Sequence, residues 1–423
     1  MNAPETTPAT YDVEAIRARF PALSRPGPDG RPFVWADAPG GSQTPDVVID
    51  AITDRLRTGS SNTHGAFVSS REIDETIAAA HVAGGAFLGS DPDEVVFGQN
   101  ATSLLLHLSR SFSRTLGPGD EIVVTRLDHD ANVRPWILAA RDAGATVRWV
   151  DVRDDDVTID LASLDAQLSD RTKLVAFTLA SNAVGTMPPA AELVRRAKAV
   201  GALVAVDGVH FAQHHVPDLH GLGADLVATS PYKFFGPHQG MLGIRREVLD
   251  AWEPYKLRPS DDVNPGRWET GTQSHESMAG TIAAIGHLAD LGRSYGTPVD
   301  GSDRAAIAAG FAAAHAHERE LSLRFLEGLT RIPQARLMGI ADPTRVDERT
   351  PTFAIRLGDH HPLDTATALG ERGIFVWDGH YYAIEVFDRL GLLGSGGAVR
   401  IGFCHYHTAA EVDRVLEALA DLA

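Results

Sequence analysis

Seven short apolar runs, at residues 94–97, 121–125, 146–152, 174–179, 203–207, 226–229 and 241–244, alternate with stretches of helical pattern. "LVAFTL" and "LVAVD" are representative: the apolar residues are continuous and do not alternate with polar ones. A strand with one face in water alternates, whereas a strand covered on both faces does not. Helical patterns at 102–116, 131–143 and 190–200 lie between the runs. In "AGATV", "VGALVAV" and "GLGADLV" a glycine ends the helix before the chain re-enters a strand. This order predicts an α/β fold with a mostly parallel seven-stranded sheet and helices on both of its faces.

The rhythm changes near residue 296. "YGTPVDGSDR" reads as a linker that ends in an N-cap signal, and an Ala-rich helix is expected over 304–329. Shorter strand-like runs at 335–338, 352–357, 375–377 and 398–403 precede an amphipathic helix at 409–422, which predicts a smaller α+β C-terminal domain. The expected division is an N-terminal segment at 1–20, with a short helix at 12–20, a large domain at 21–295 and a small domain at 296–423 to which the N-terminal segment contributes. At 423 residues the chain is long enough for two domains.

The charge balance limits the partners. Lys and Arg number 38 against 56 Asp and Glu, a net charge of −18, with no basic stripe to meet a phosphate backbone or an anionic membrane. No apolar run is long enough to span a bilayer, and the first twenty residues lack the apolar centre of a signal peptide. The single cysteine, Cys404, cannot form an intramolecular disulfide and fits a reducing compartment. The expectation is a cytoplasmic protein with neither nucleic-acid nor membrane partners.

In a parallel sheet, ligands bind beyond the carboxyl ends of the strands, so the residues standing there matter most. After the first run comes "GQNAT", a small polar turn that opens a helix and offers free N–H groups to an anion. After the second comes "LDHDAN" with His129, and after the fourth "ASN" with Asn182. The fifth ends in Asp207, followed by His210, and after the sixth stand Ser230, Tyr232 and Lys233. Each alone has an ordinary structural explanation: a cap, a satisfied core histidine, a solvated strand-end lysine. Together they comprise an anion-binding turn, a flat ring, a carboxylate and an amine, the set that pyridoxal phosphate requires. The amine forms a Schiff base, the carboxylate pairs with the pyridinium nitrogen and the flat ring stacks on the cofactor. An apolar, aromatic setting would lower the Lys233 pKa and free its nucleophilic amine.

With those residues in place, the chain resembles the class V branch of the fold type I pyridoxal-phosphate enzymes, in particular the cysteine desulfurase and selenocysteine lyase group. The resemblance spans roughly residues 12–422 and its motifs come in the family's order. "VWADAPGGSQTP" and "NTHGAFVSS" are similar to the family's N-terminal segment and the loop after it. "FGQNATSLLLHL" resembles its phosphate turn, implying contacts from Ala101 and Thr102, and "LDHDANVRPW" its ring-stacking motif, implying His129. "SNAVGTMPP" places Asn182 near the cofactor oxygen and the substrate, and "VAVDGVHFAQHH" gives Asp207 to the pyridine nitrogen. "TSPYKFFGPHQG" gives Lys233 the Schiff base and Ser230 a phosphate contact. "RWETGTQS" implies that Thr272 reaches the phosphate bound in a partner subunit, and hence a homodimer with the active site at the subunit interface. "AVRIGFCHYHTAAEVDRVLEAL" gives Arg400 to the substrate carboxylate.

The departures from the family pattern shape the expected reaction. Desulfurases carry a nucleophilic cysteine on a small-domain loop, and the matching stretch here, "FVWDGHYYAIEVF", has Tyr382 near that position and no thiol. Cys404 lies in an expected strand beyond Arg400 and reads as a small buried side chain. His210 replaces the usual Gln and Tyr232 the usual His, so contacts to the ring oxygen and phosphate are expected to differ. The favoured activity is therefore that of a C–S lyase performing β-elimination on a cysteine-like α-amino acid. Epimerisation or racemisation, transamination and desulfuration with an external thiol use the same residues, and a catalytically silent cofactor-binding scaffold is the reading from a different class. Tyr381 and Tyr382 are candidates for a second acid/base, although packing or a rim position is the simpler role. No metal is expected: 18 histidines are present, but "CHYH" at 404–407 and "HFAQHH" at 210–215 lack paired-cysteine spacing.

Overall fold

The computed structural model of the protein describes residues 9–297 and 301–423, so residues 1–8 of the expected N-terminal segment and 298–300 of the expected linker lie outside it. The seven apolar runs form strands β1 (Val95–Gly98), β2 (Glu121–Thr125), β3 (Thr146–Val150), β4 (Thr172–Thr178), β5 (Leu203–Asp207), β6 (Leu226–Thr229) and β7 (Gly240–Ile244). They form one sheet in the order β1-β7-β6-β5-β4-β2-β3. The pairings among β3, β2, β4, β5 and β6 are parallel, while β7 runs antiparallel to both β6 and β1. It follows that β1 runs in the same direction as β6, and its carboxyl end shares their edge.

Successive residues of the inner strands enter cores on opposite faces. Val175, Phe177, Val204 and Val206 join one core, and Leu174, Ala176, Ala205 and Leu226 the other. With both faces dry there is no room for a polar alternation, which explains the continuous apolar runs.

A second, antiparallel sheet has the order β10-β11-β9-β8, built from β8 (Ala335–Met338), β9 (Thr352–Leu357), β10 (Trp377–Gly379) and β11 (Ala398–Gly402). Its core takes Phe353, Ile355, Val399 and Ile401 from the sheet, Phe325 and Leu329 from the helix Asp303–Leu329, and Val412, Val415 and Leu419 from the helix Ala409–Leu422. Val34 and Ala36 join the same core, so the N-terminal part of the chain contributes to the smaller domain. The strand expected at 375–377 begins only at Trp377, because the Phe375 N–H donates to the Val34 carbonyl and residues before Trp377 pair with the stretch around Val34. Further N-terminal ties are Tyr11, whose hydroxyl donates to the His405 carbonyl at 2.9 Å, and Arg17, which pairs with Glu411 at 2.7 Å.

Three long helices, Asp46–Thr58, Val68–Leu88 and His275–Tyr295, have no counterpart among the helical patterns read from the sequence. The expected helix at 131–143 starts at Arg134 after a 3-10 turn over Asp130–Asn132, with Pro135 in its first turn.

Candidate active site

The carboxyl edge of the larger sheet faces a cavity of about 370 Å³ lined by residues from both sheets and by Asp37 and Gly40. Thr178, Asp207 and Ala228, at or near the ends of β4, β5 and β6, lie side by side in register. Asp207 is buried and its Oδ1 accepts the Val209 N–H at 2.8 Å. Burial pushes its carboxyl up to about 6, against the favourable backbone hydrogen bond and the nearby Lys233. Such a carboxylate gains most from a cation placed against it.

Lys233 ends the 3-10 turn Pro231–Lys233 that follows β6. Its Nζ donates to the Pro39 carbonyl and sits 5.0 Å from the centre of the Tyr232 ring. Burial, helped by the charge of Arg400, lowers its amine to about 7, while Asp37 and Asp207 act in the opposite direction. A substantial fraction of the amine is therefore the uncharged nucleophile near neutrality. Ser230 is buried on the cavity wall, and Tyr232 lines it with its ring stacked on His238, centroids 4.9 Å apart.

His129 caps the turn Asp130–Asn132, its Nδ1 accepting the Ala131 N–H at 3.0 Å. The ring proton is thereby assigned to Nε2. Burial lowers the imidazole to about 4, so this plate on the cavity wall is neutral. Beneath it lies Asp128, whose side chain accepts from the Thr125 hydroxyl and from Asn132 Nδ2 at 2.8 Å; burial raises it to about 8. That network fixes the loop carrying His129, and the motif reading assigned it no role.

At the end of β1 the helix Ala101–Ser113 points its N-terminus at the cavity. Asn100 caps it, its Oδ1 accepting the Ser103 N–H at 2.8 Å, and Ala101 and Thr102 of its first turn, where backbone N–H groups lack intrahelical partners, line the cavity. Gly240 of β7 passes directly behind this cap: a Cβ there would lie 2.4 Å from the Asn100 carbonyl carbon. Only glycine lets the neighbouring strand approach so closely.

Arg400 of β11 enters from the smaller domain, where it is buried. Its Nη1 donates to the Asn182 carbonyl at 3.2 Å and its Nη2 to Asp37 Oδ1 at 2.8 Å, which fixes the guanidinium plane at two points. Asp37 is the main cavity residue the sequence reading passed over; a lone acid in "ADAPGG" carries no spacing signal. Asn182 Nδ2 donates to the Tyr381 carbonyl at 2.9 Å, and His210 Nε2 lies 3.1 and 3.0 Å from the hydroxyls of Thr350 and Thr352. Tyr381 is committed to packing: its hydroxyl donates to the Ala398 carbonyl and its ring lies under Arg400 at 4.7 Å. Tyr382 and Trp377 also line the cavity.

Three buried polar atoms on the walls, Asn182 Oδ1, His210 Nδ1 and Arg400 Nε, have no hydrogen-bond partner among the described residues. Buried polar groups left unmet are costly, and here they converge on one cavity with a neutral amine, a carboxylate and a helix N-terminus. The residues therefore fit pyridoxal phosphate together with an amino-acid substrate. Of the site residues expected from the sequence, Thr272 alone stands apart; it is exposed and outside the cavity lining. Cys404 is fully buried, with Sγ 3.7 Å from His407 Nδ1, and also lies outside the lining. Among the described residues no group of three or more His, Cys, Asp and Glu is arranged to hold a metal ion, and no helix is long and apolar enough to cross a membrane.

A strand-end lysine and carboxylate facing a neutral histidine, under an arginine from a second domain, define a fold type I pyridoxal-phosphate site. The Aminotransferase class-V family model matches residues 34–415, and the chain belongs to that family of pyridoxal-phosphate enzymes. It is 36% identical over 424 residues to the probable cysteine desulfurase 2 of Mycobacterium leprae, covering 96% of this chain and 95% of that one. It is 32% identical to the probable cysteine desulfurase of Streptomyces coelicolor, with 97% of each chain covered. The apo structure of the cysteine desulfurase from Thermococcus onnurineus NA1 superposes with a TM-score of 0.86 at 25% identity, over 98% of this chain and 99% of the other.

Proposed function

We propose that the protein is a homodimeric C–S lyase that eliminates the β-substituent of a cysteine-like α-amino acid, releasing a thiol or sulfide, pyruvate and ammonia. The observation that carries this reading is a contrast. The relatives are named for removing sulfur from cysteine, yet the only cysteine here, Cys404, is buried outside the cavity. Burial also pushes that thiol well above its ordinary range, away from the reactive thiolate. With no protein thiol to take up sulfur, elimination is the direct outcome once Cα has lost its proton.

In this reading Lys233 holds the cofactor covalently, Asp207 pairs with its ring nitrogen and His129 stacks on its ring. Ala101, Thr102 and Ser230 hold the phosphate, joined by Thr272 of the partner subunit, while His210 and Tyr232 complete the cofactor contacts. When bound, pyridoxal phosphate supplies a sink for the electron pair left on Cα. Arg400 would orient the substrate carboxylate with the help of Asn182, and Lys233 Nζ would take the Cα proton. The depressed basicity of that amine suits it to exchange protons near neutrality. The same reading keeps the division into an N-terminal segment at 1–20, a large domain at 21–295 and a small domain at 296–423. It also places the protein in a reducing cytoplasm.

The test is product identity. Cofactor-loaded protein incubated with L-cysteine, cystine and S-alkyl cysteines should form pyruvate and ammonia without added thiol. Alanine formed only with added thiol would identify a desulfurase using an external acceptor, and inversion of the substrate or a keto acid without ammonia would identify an epimerase or aminotransferase. Lys233→Ala should abolish both the visible absorbance of the bound cofactor and turnover; turnover that survives would remove Lys233 from its role.

A further inference from the structure

The cavity mouth is aromatic where the family's attacking thiol would be expected. Trp377 on β10 lies directly opposite Arg400 on β11 in an antiparallel pair. Directly opposed residues project from the same face of a sheet, so the indole stands beside the group that would receive the substrate carboxylate. Across the opening, the Tyr382 ring stacks on His129 with centroids 5.4 Å apart and planes at 29°. Both rings line the cavity and both remain largely uncovered, Trp377 at 57% and Tyr382 at 67% exposure.

The loop presenting Tyr382 is held in place at a conformational cost. Tyr381 and Tyr382 both adopt left-handed backbone angles, φ 51° and 60°, a conformation that bulky side chains avoid. Their carbonyls are tied down by Asn182 Nδ2 at 2.9 Å and by the Asp130 N–H at 2.8 Å, and the Tyr381 hydroxyl is bonded to Ala398. Strain retained under several anchors generally marks a functional placement. Here it sets an aromatic face at the mouth of the cavity. Leu105 and Ala131 add apolar surface to the lining of the same cavity.

We infer that Trp377 and Tyr382 form a subsite for an apolar sulfur substituent, so that the substrate class is S-substituted cysteines (thioethers carrying an alkyl or aryl group) and free cysteine is the poorer substrate. This deepens the C–S lyase reading and rests on it. A thioether side chain extending from the cofactor toward the opening would cover both exposed rings, and sulfur and aryl groups make favourable contacts with aromatic faces. The overall reaction balances without any redox partner. The Cβ–S bond breaks, sulfur leaves with its bonding electrons and gains a proton as R–SH. The three-carbon remainder takes up one water and leaves as pyruvate and ammonium.

The experiment compares S-benzyl-L-cysteine, S-methyl-L-cysteine and L-cysteine on the cofactor-loaded protein. It reads thiol and pyruvate release together with binding, followed by the change in the cofactor's visible absorbance. S-benzyl-cysteine should have the highest kcat/KM, about tenfold or more above L-cysteine. Trp377→Ala should shrink the benzyl-to-methyl ratio by about tenfold, and Trp377→Phe should keep most of it. A wild-type preference for L-cysteine overturns the inference, as does a Trp377→Ala variant with an unchanged ratio. Binding that prefers S-benzyl-cysteine and depends on Trp377, but yields neither pyruvate nor thiol, upholds the subsite and overturns the elimination reading.

Discussion

Lys233 ties the chemistry of the site to the stability of the empty fold. Its amine titrates near 7 in the folded protein against an ordinary 10.5, mainly because it is buried. Between those values the unfolded chain carries a proton that the folded one has lost, so unfolding takes up a proton and stability rises with pH. Below about 7 both states are protonated and the full cost of burying the ammonium remains; above about 10.5 it vanishes. Lys233→Met should therefore raise the Tm of the cofactor-free protein at neutral pH, with a gain of roughly a few kcal/mol. The gain should shrink as pH climbs from 7 toward 10.5. Thermal melts of both proteins across that range check it, and a gain that grows with pH would mean that the amine is not the destabilising group. Retaining a lysine at that cost is what the covalent role proposed for Lys233 would require.

At the scale of elements, the loop joining β10 to the helix Ile384–Arg389 carries a comparable trade. Tyr382 adopts φ 60°, which costs about 1–2 kcal/mol for a residue with a Cβ. Tyr382→Gly should thus raise the Tm by an amount corresponding to about 1 kcal/mol, partly offset by the greater freedom of glycine in the unfolded chain, while lowering affinity for S-substituted substrates. Denaturant unfolding and substrate titration on one preparation measure both effects, and a loss of stability would show that the ring contributes more by packing than its backbone costs. The strain was not legible in "WDGHYY", because a left-handed angle at tyrosine has no sequence signature, whereas packing or a rim position for Tyr381 and Tyr382 was. By contrast, the strand ends bearing Asp207, Asn182 and Lys233 were legible, since a strand buried on both faces shows as an unbroken apolar run and the first polar residues after it mark the sheet's edge. The helices Val68–Leu88 and His275–Tyr295 were not. Buried Ala80, His81, Gly84 and Gly85 in one, and Gly280, Thr281 and His287 in the other, blur the apolar stripe that a helix with one wet face displays. Asp37 and Trp377 escaped for a related reason: each acquires meaning only from Arg400, which is far away in sequence.

At the scale of the whole molecule, the cavity draws on three parts of the chain. The stretch at residues 37–40 supplies Asp37 to Arg400 and the Pro39 carbonyl to Lys233, while the smaller domain closes the site with Arg400 and the tyrosine loop. Thr272 alone lies outside, exposed on the surface. If it completes the phosphate site of a partner subunit, two defective proteins should repair each other, because a two-fold dimer has two equivalent shared sites. Lys233→Ala spoils a site from within, whereas Thr272→Glu would spoil the partner's site by setting a carboxylate against the phosphate. In a mixed dimer, the subunit that keeps Lys233 receives the intact Thr272 of the other, and one site of two works. Random reassociation makes half of the dimers mixed, so co-refolded or subunit-exchanged mixtures should recover up to about a quarter of wild-type activity. Each variant alone should stay nearly inactive. Recovery no greater than the sum of the separate proteins, in a mixture shown to contain mixed dimers by mass, would place the whole site within one chain and remove Thr272 from it.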